Sequence, residues 1–457
     1  MSHGSEVPQM TGQLELPFGG RGEAPRAKRS EEELKTTQCT EHTARRGLME
    51  AAVTPQNLRA ALKRVRRNKG SPGVDGMTVE ELPDFLRENW PTIREQLLTG
   101  RYQPKAVRRK AIPKSGGGER ELGIPTVLDR FIQQAVLQVL QPRFDPSFSP
   151  HSYGFRPGKS AHQAAKAARK YVQEGRRIVV DVDLSKFFDR VNHDVLMGRL
   201  AKRIEDTHML RLIRRYLQAG MMSDGVVVTR HEGTPQGGPL SPLLANLLLD
   251  EVDKELEKRG HAFARYADDC NVYVRSKRAG ERVMKLLRRL YACLRLQINE
   301  EKSAIAPASQ RQFLGFSLWT APGKLVKHRV ANKALKVMKD RVRELTSRSR
   351  GRSLSQVAGD LRSYLLGWKG YFRLADTPKV FRKLDEWIRH RLRAIQLKHW
   401  KRGKTIYREL VARGMTGAKA RQVASNGRRW WRNSAMGLHI ALPNSTFDQL
   451  GIPRLAA

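Results

Sequence analysis

FARYADDCNVYV, Phe263 to Val274, sets two adjacent carboxylates, Asp268 and Asp269, between two short apolar runs. Phe263, Tyr266, Val272, Tyr273 and Val274 are residue types that favour strands. The Asp-Asp pair, with Ala before it and Cys-Asn after it, favours a tight turn. The pattern predicts a β-hairpin with two acids at its tip. Neighbouring carboxylates repel, so a fold that holds them side by side usually has a cation to bind. An isolated Asp-Asp pair is more often a solvated acidic turn, so the weight falls on what lies upstream.

The second informative stretch is RIVVDVDLSKFFDRV, Arg177 to Val191. Ile178 to Leu184 is a β-branched run and reads as a buried central strand. Acids inside such a run are costly unless paired or metal-bound. Asp181 and Asp183 alternate onto one face of it, so at least one should meet a cation; spacing within the strand does not separate them. Asp189 reads as a capping or structural acid. Between the two acidic stretches, Gly233 to Asp250 is a Gly/Pro loop opening an apolar helix. Its glycines permit close approach to the backbone, and its free amides suit an anion.

The 457 residues carry 86 Lys+Arg against 45 Asp+Glu, a formal net charge of +41. The excess runs along most of the chain and suits a polyanion, nucleic acid first. No apolar run approaches the ~20 residues of a spanning helix. The start MSHGSEVPQM lacks the pattern of a signal peptide, so the expectation is a cytoplasmic (bacterial cytoplasm or nucleoid) protein with no membrane partner. Cys39, Cys270 and Cys293 form neither a disulfide framework nor a zinc pattern.

Residues 1–45 are expected to be disordered. Thr54 is placed to cap a helix beginning at Pro55. Asn68 to Gly76 is a loop whose Lys69 and open amides could lie on a phosphate strand. Val107 to Pro125 reads as a hairpin with Lys110, Lys114 and Arg120 on its arms, able to close on a triphosphate. An amphipathic helix follows from Thr126 to Phe144. The turn His151–Ser160 offers Tyr153, Phe155, Arg156 and Lys159 to a strand of nucleic acid or to a packed loop. Helices are expected over 161–173, 280–294, 331–348, 361–373 and 381–404, with a short strand at 313–318. The last two helices and the tail interleave aromatics with cations, as RNA binding favours. Most of the tryptophans there still read as core.

These pieces form a kit for nucleotidyl transfer: two magnesium ions ~4 Å apart, held by carboxylates of both acidic stretches, one activating a primer 3′-hydroxyl and one meeting the departing pyrophosphate.

In this order the motifs resemble the group II intron-encoded reverse transcriptases and maturases, over about residues 50 to 435. They are the Asn68–Gly76 loop, Ile112-Pro-Lys, Arg120-Glu-Leu-Gly-Ile-Pro, Tyr153-Gly-Phe-Arg-Pro-Gly, Asp183 with Phe187-Phe188, Pro235-Gln-Gly, Tyr266-Ala-Asp-Asp, Asn299 to Ser303, and Phe313-Leu-Gly. The resemblance implies an α+β right-hand polymerase, with fingers and a split βαβ palm sheet, followed by an all-helical thumb/maturase domain. The expected division is 46–322 for fingers and palm, 323–415 for the thumb/maturase domain, and 416–457 for a basic segment read as a DNA-binding remnant. The resemblance implies Asp183, Asp268 and Asp269 as catalytic magnesium ligands, its spacing to the aromatic pair favouring Asp183 over Asp181. Phe188 would be a steric gate against the ribose 2′-hydroxyl. Lys114 and Arg120 would hold the triphosphate, Gln236 would line the nucleotide, and Lys302 would protonate or neutralise pyrophosphate. Candidate nucleic-acid contacts are Lys69, Arg156, Lys159, Lys369, Arg389, Arg393 and Arg429. Implied partners are group II intron RNA, an RNA template with a DNA or RNA primer, dNTPs and target DNA; dimerisation stays open. With no Cys-x-x-C, an HNH endonuclease is not expected. The competing readings are a related reverse transcriptase taken into host DNA repair or anti-phage defence, and an RNA chaperone with a decayed site.

Overall fold

The computed structural model describes residues 47–456, apart from 114–118, 224–225, 229–231, 235–236, 349–350, 427–428 and 436. The disorder expected of residues 1–45 lies outside them. Among the described residues no helix is long and apolar enough to cross a membrane.

The acidic strand does form the centre of a sheet. β3 (Ile178–Val182) runs antiparallel between β7 (Asp269–Val274) and β8 (Ala304–Pro307), and β6 (Ala262–Tyr266) closes the other edge. Asp181 lies opposite Asn271 and Ala304. The two-residue period splits the side chains. Val180, Val182, Phe263 and Val272 enter the main core with helices Ser241–Lys258 and Lys277–Cys293. Val179, Ala264 and Tyr273 pack on the other face with helix Ala161–Gln173. Asp181 belongs to this second face. The strand stops at Val182, one residue before Asp183, sooner than its apolar run suggests.

Ahead of it, β1 (Val107–Pro113) and β2 (Glu119–Ile124) form the expected hairpin and join β4 (Met221–Ser223) and β5 (Val226–Val228) in a second sheet. Helix Val127–Phe144 follows. Its cap Thr126 accepts from the Asp129 amide at 3.0 Å and donates to the Asp129 carboxylate at 2.7 Å. Thr54 occupies the N-cap position of helix Pro55–Asn68, but its hydroxyl donates to the Ala51 carbonyl and makes no cap bond.

A three-stranded sheet, β9 (Gln312–Phe313), β10 (Phe316–Thr320) and β11 (Val326–Val330), leads into the helical unit. Tyr371 on helix Leu354–Phe372 donates to the Leu314 carbonyl (3.0 Å) and stacks on Phe316. Helices Asn332–Leu345, Leu354–Phe372 and Pro378–Trp400 share one core with Leu438, Leu442, Phe447, Ile452 and Leu455. The segment 416–457 therefore has no core of its own, and the division expected at 415/416 does not separate two packed bodies. Trp368 and Trp400 are core, as expected, while Trp431 is exposed.

Candidate active site

The hairpin Phe263–Val274 forms as its pattern predicts, with Ala267 and Asp268 as the two turn residues and Asp269 opening β7. Ala267 has φ +59°, a left-handed conformation unusual for a residue with a Cβ. Arg265 holds it there. Its Nη1 donates to the Ala267 carbonyl (2.8 Å) and to Asn246 Oδ1 (2.9 Å), and its Nη2 donates to Ser152 Oγ (2.7 Å). Asp253 takes the other edge of the guanidinium. The loop Tyr153-Gly-Phe-Arg-Pro-Gly buttresses the turn from outside. The Tyr153 amide donates to the Arg265 carbonyl (2.8 Å), and a Cβ on Gly154 would lie 2.2 Å from the Ala267 nitrogen.

Asp183 sits just past the end of β3 and is fixed through its backbone. Its amide donates to Ser303 Oγ (3.0 Å), and its carbonyl accepts from the Asn299 amide (2.8 Å). That stitching brings the Asn299–Ser303 segment to the site and leaves Lys302 Nζ 3.6 Å from Asp183 Oδ2. The Asp183 side chain is 44% exposed. Asp181, the rival, is 14% exposed and bound by Arg311, whose Nη2 lies 2.6 Å from its Oδ2.

These acids share one electrostatic field. The Asp269 carboxyl is pushed up to about 8, by burial first and then by the charges of Asp181, Asp268 and Asp183; Arg311 opposes the shift. Burial also raises the Asp181 carboxyl, against the Arg311 bond. A carboxylate so poorly neutralised, among other hard oxygen donors, fits a divalent cation. Among the described residues no three acidic, histidine or cysteine side chains already converge on one ion-sized point.

Phe188 lies in a short 3₁₀ turn after β3, nearly buried and edge-to-face on Phe187. Its carbonyl accepts from the Thr234 amide (2.7 Å), which docks the Gly/Pro loop on this turn. The close approach expected of that loop is to Gly123 of β2, whose carbonyl would lie 2.6 Å from a Cβ on Gly237. Lys114, Gln236 and the side chain of Arg120 lie outside the described residues.

Three candidate nucleic-acid contacts are corrected. Arg156 is turned inward onto Asp145 (2.8 Å) and the Ser149, Ser152 and Asp145 carbonyls. Arg389 is 2% exposed and binds Asp385 and Asp448. Arg393 donates to the Leu442 carbonyl and Asn444 Oδ1. Arg389 and Arg393 are buried, and all three guanidinia are turned onto acceptors of the protein itself, so none presents an open fork to phosphate. Lys369 donates to the Arg454 carbonyl, and Lys159 lies over the Tyr153 ring, near the Pro150 carbonyl. Lys69 and Arg429 are exposed.

Two residues of the site escaped the sequence reading. Arg265 carried a signal: at period two it falls on the buried face with Phe263, where a lone cation requires a partner. Arg311, in a loop, carried none.

A model of the reverse transcriptase (RNA-dependent DNA polymerase) family matches residues 112–318, and a model of the group II intron maturase-specific domain matches residues 335–414. Over these two stretches, in this order, the chain is similar to the group II intron reverse transcriptases and maturases. It is 37% identical over 233 residues to Protein YkfC of Escherichia coli K12, covering 50% of this chain and 61% of that one. It is 38% identical over 195 residues to the group II intron-encoded protein LtrA of Lactococcus lactis, covering 42% and 32%. A third relative, a putative COX1/OXI3 intron 1 protein of Saccharomyces cerevisiae, is 30% identical over 227 residues, covering 50% and 27%. The chain thus spans less than two thirds of the curated relatives it matches. The fold is that of a reverse transcriptase with a helical C-terminal region, as expected. The maturase match favours the intron-encoded reading over co-option for repair or defence. Members of the family generally work with divalent metal ions, and the two domains imply RNA binding and nucleic-acid substrates.

Proposed function

We propose that this protein is an RNA-directed DNA polymerase that extends a DNA or RNA primer with dNTPs on an RNA template, and a maturase that binds group II intron RNA to promote its splicing and mobility. One observation carries the polymerase reading. The Asp269 carboxyl at the β6–β7 turn, raised to about 8 by burial first, feels the charges of Asp181, Asp268 and Asp183 as well, with Arg311 opposing them.

Asp183, Asp268 and Asp269 are the residues that would hold two magnesium ions, and exposed Asp183 is the one with room to turn inward. Ions bound there would supply the positive charge that activates a primer hydroxyl and meets a leaving pyrophosphate. The chain's own work is positioning. The Arg265 web holds the Ala267–Asp268 turn rigid. Phe188, packed by Phe187, gives a fixed wall that would reject a ribose 2′-hydroxyl. Lys302, tethered at its backbone beside Asp183, has an exposed ammonium that would reach the pyrophosphate. Lys114, Arg120 and Gln236 would complete the nucleotide site.

RNA binding outside this site is supported by a groove of about 960 Å³ at the far end of the β6–β7 hairpin. Arg275, Arg282, Lys285 and Arg289 line it together with Arg176 and Arg259, which pair with Glu174 and Glu255, and among the described residues that line it there is no carboxylate. Such a surface neutralises a phosphate backbone.

Primer extension on an RNA template with magnesium tests the reading. Asp268→Ala should lower extension by about 10³-fold while RNA affinity holds. Extension at the wild-type rate would refute the assignment.

A further inference from the structure

We propose that Arg311 is a positioning residue of this active site: it withdraws Asp181 from the metal-binding set and fixes Lys302 against Asp183. The inference rests on the polymerase reading above.

Asp181 lies on β3 and Asp183 just past its end, and both act on Asp269. Left unpaired, Asp181 would be a further oxygen donor beside Asp183, Asp268 and Asp269. It is not left unpaired. Arg311 Nε donates to its Oδ2 at 2.7 Å, and Nη2 lies 2.6 Å from the same oxygen. The same Nη2 donates to the Lys302 carbonyl at 2.7 Å. The Lys302 amide in turn donates to Asn299, and the Asn299 amide donates to the Asp183 carbonyl. One guanidinium therefore joins the acid of β3 to the backbone of the lysine that faces the other acid. Lys302 is pinned at both its amide and its carbonyl, while its side chain stays 69% exposed. A mobile stem on an anchored backbone suits a cation that must meet a phosphate group and then release it.

A merely structural Arg311 would tie its loop to the sheet and do no more. The two roles separate in a double variant. If Arg311 exists to cancel Asp181, removing both should be less harmful than removing the arginine alone. If it is a strut, the two losses should add.

The test uses the full chain as wild type, Arg311→Ala, Arg311→Lys, Asp181→Asn and the Arg311→Ala/Asp181→Asn double variant. Three quantities are measured: the melting temperature, the affinity of the protein alone for Mn²⁺ by electron paramagnetic resonance, and the kcat and KM of dNTP incorporation. Arg311→Ala should bind Mn²⁺ several-fold more tightly and lower kcat by about tenfold with little change in KM. Arg311→Lys should fall between it and wild type. The double variant should return Mn²⁺ affinity to the wild-type value and recover part of kcat. A double variant no better than Arg311→Ala would overturn the proposal. So would unchanged Mn²⁺ affinity in Arg311→Ala, or loss of Mn²⁺ binding in Asp181→Asn, which would make Asp181 a ligand. If Arg311→Ala does not fold, Asp181→Asn and Arg311→Lys still decide. Wild-type extension reports separately on the polymerase reading, so its failure and failure of this inference are distinct results.

Discussion

Arg265 and Asp253 meet side-on inside the protein: Nε lies 2.8 and 3.0 Å from the two carboxylate oxygens and Nη2 lies 2.6 Å from Oδ2. Both side chains are almost wholly buried, at 1% and 0% exposure. The same guanidinium reaches the Ala267 carbonyl, so the pair couples the long helix Ser241–Lys258 to the acidic turn. Removing one member of a buried pair strands the other. Asp253→Ala should therefore cost about 3–5 kcal/mol, read from urea unfolding. Arg265→Lys keeps the charge but loses the fork. It should lower primer extension more than its stability loss alone explains, because the turn loses its clamp.

Gly154 gives a sharper test of the turn. An added Cβ would meet the Ala267 nitrogen at 2.2 Å, too close for either backbone to stay in place. Gly154→Ala should destabilise the protein and displace Asp268, seen as lost extension under conditions where the fold persists. Gly198, exposed on helix His193–Ala201 with nothing near its virtual Cβ, is the control. Gly198→Ala should stabilise by about 0.5–1 kcal/mol and leave extension unchanged.

The Asp269 carboxyl predicts a pH signature. Its folded value of about 8 stands above the ordinary carboxylate range, so the folded state holds a proton that the unfolded chain has lost. Stability of the metal-free protein should fall as pH rises from about 4 to about 8, and this contribution should level off beyond. Asp269→Asn should flatten that slope. Magnesium binding near pH 7 should release about one proton, measured by calorimetry in buffers of different ionisation enthalpy, and less above pH 8. A magnesium response without proton release would contradict the burdened carboxyl.

The cationic groove lies at the end of the β6–β7 hairpin away from Asp268, beside Ala262, Val274 and Arg275. Replacing Arg275, Arg282, Lys285 and Arg289 by alanine should weaken binding of structured RNA. The logarithmic salt dependence should become shallower by about 3 to 4. Extension of a short primer–template should persist. An unchanged salt slope would remove the groove from the RNA-binding surface.

Much of this site was legible in the residues. Asp268 and Asp269 announced their turn because strand formers flank them, and Asp181 and Asp183 were conspicuous as acids inside an apolar run. What the residues could not settle was the choice between Asp181 and Asp183. Alternation puts both on one face, and the difference comes from Arg311, more than a hundred residues later in a loop. The misassigned arginines have a common cause. Arg156, Arg389 and Arg393 lie in basic, aromatic-rich stretches, and composition does not reveal that Asp145, Asp448 and the Leu442 carbonyl fold over to meet them. Charge patterns report how many cations a segment has, whereas a partner distant in sequence decides where each one points.

The helical unit is finished from its far end. Ile452 and Leu455 fill the same core as Leu384 and Ile388, and the Leu455 and Ala456 amides both donate to Asp385. During synthesis that core stays open until these late residues have been made, an interval on the order of ten seconds at ordinary translation rates. Until then Leu384 and Ile388 lack two of the side chains that share their core, and Asp385 lacks the two amides that bind it.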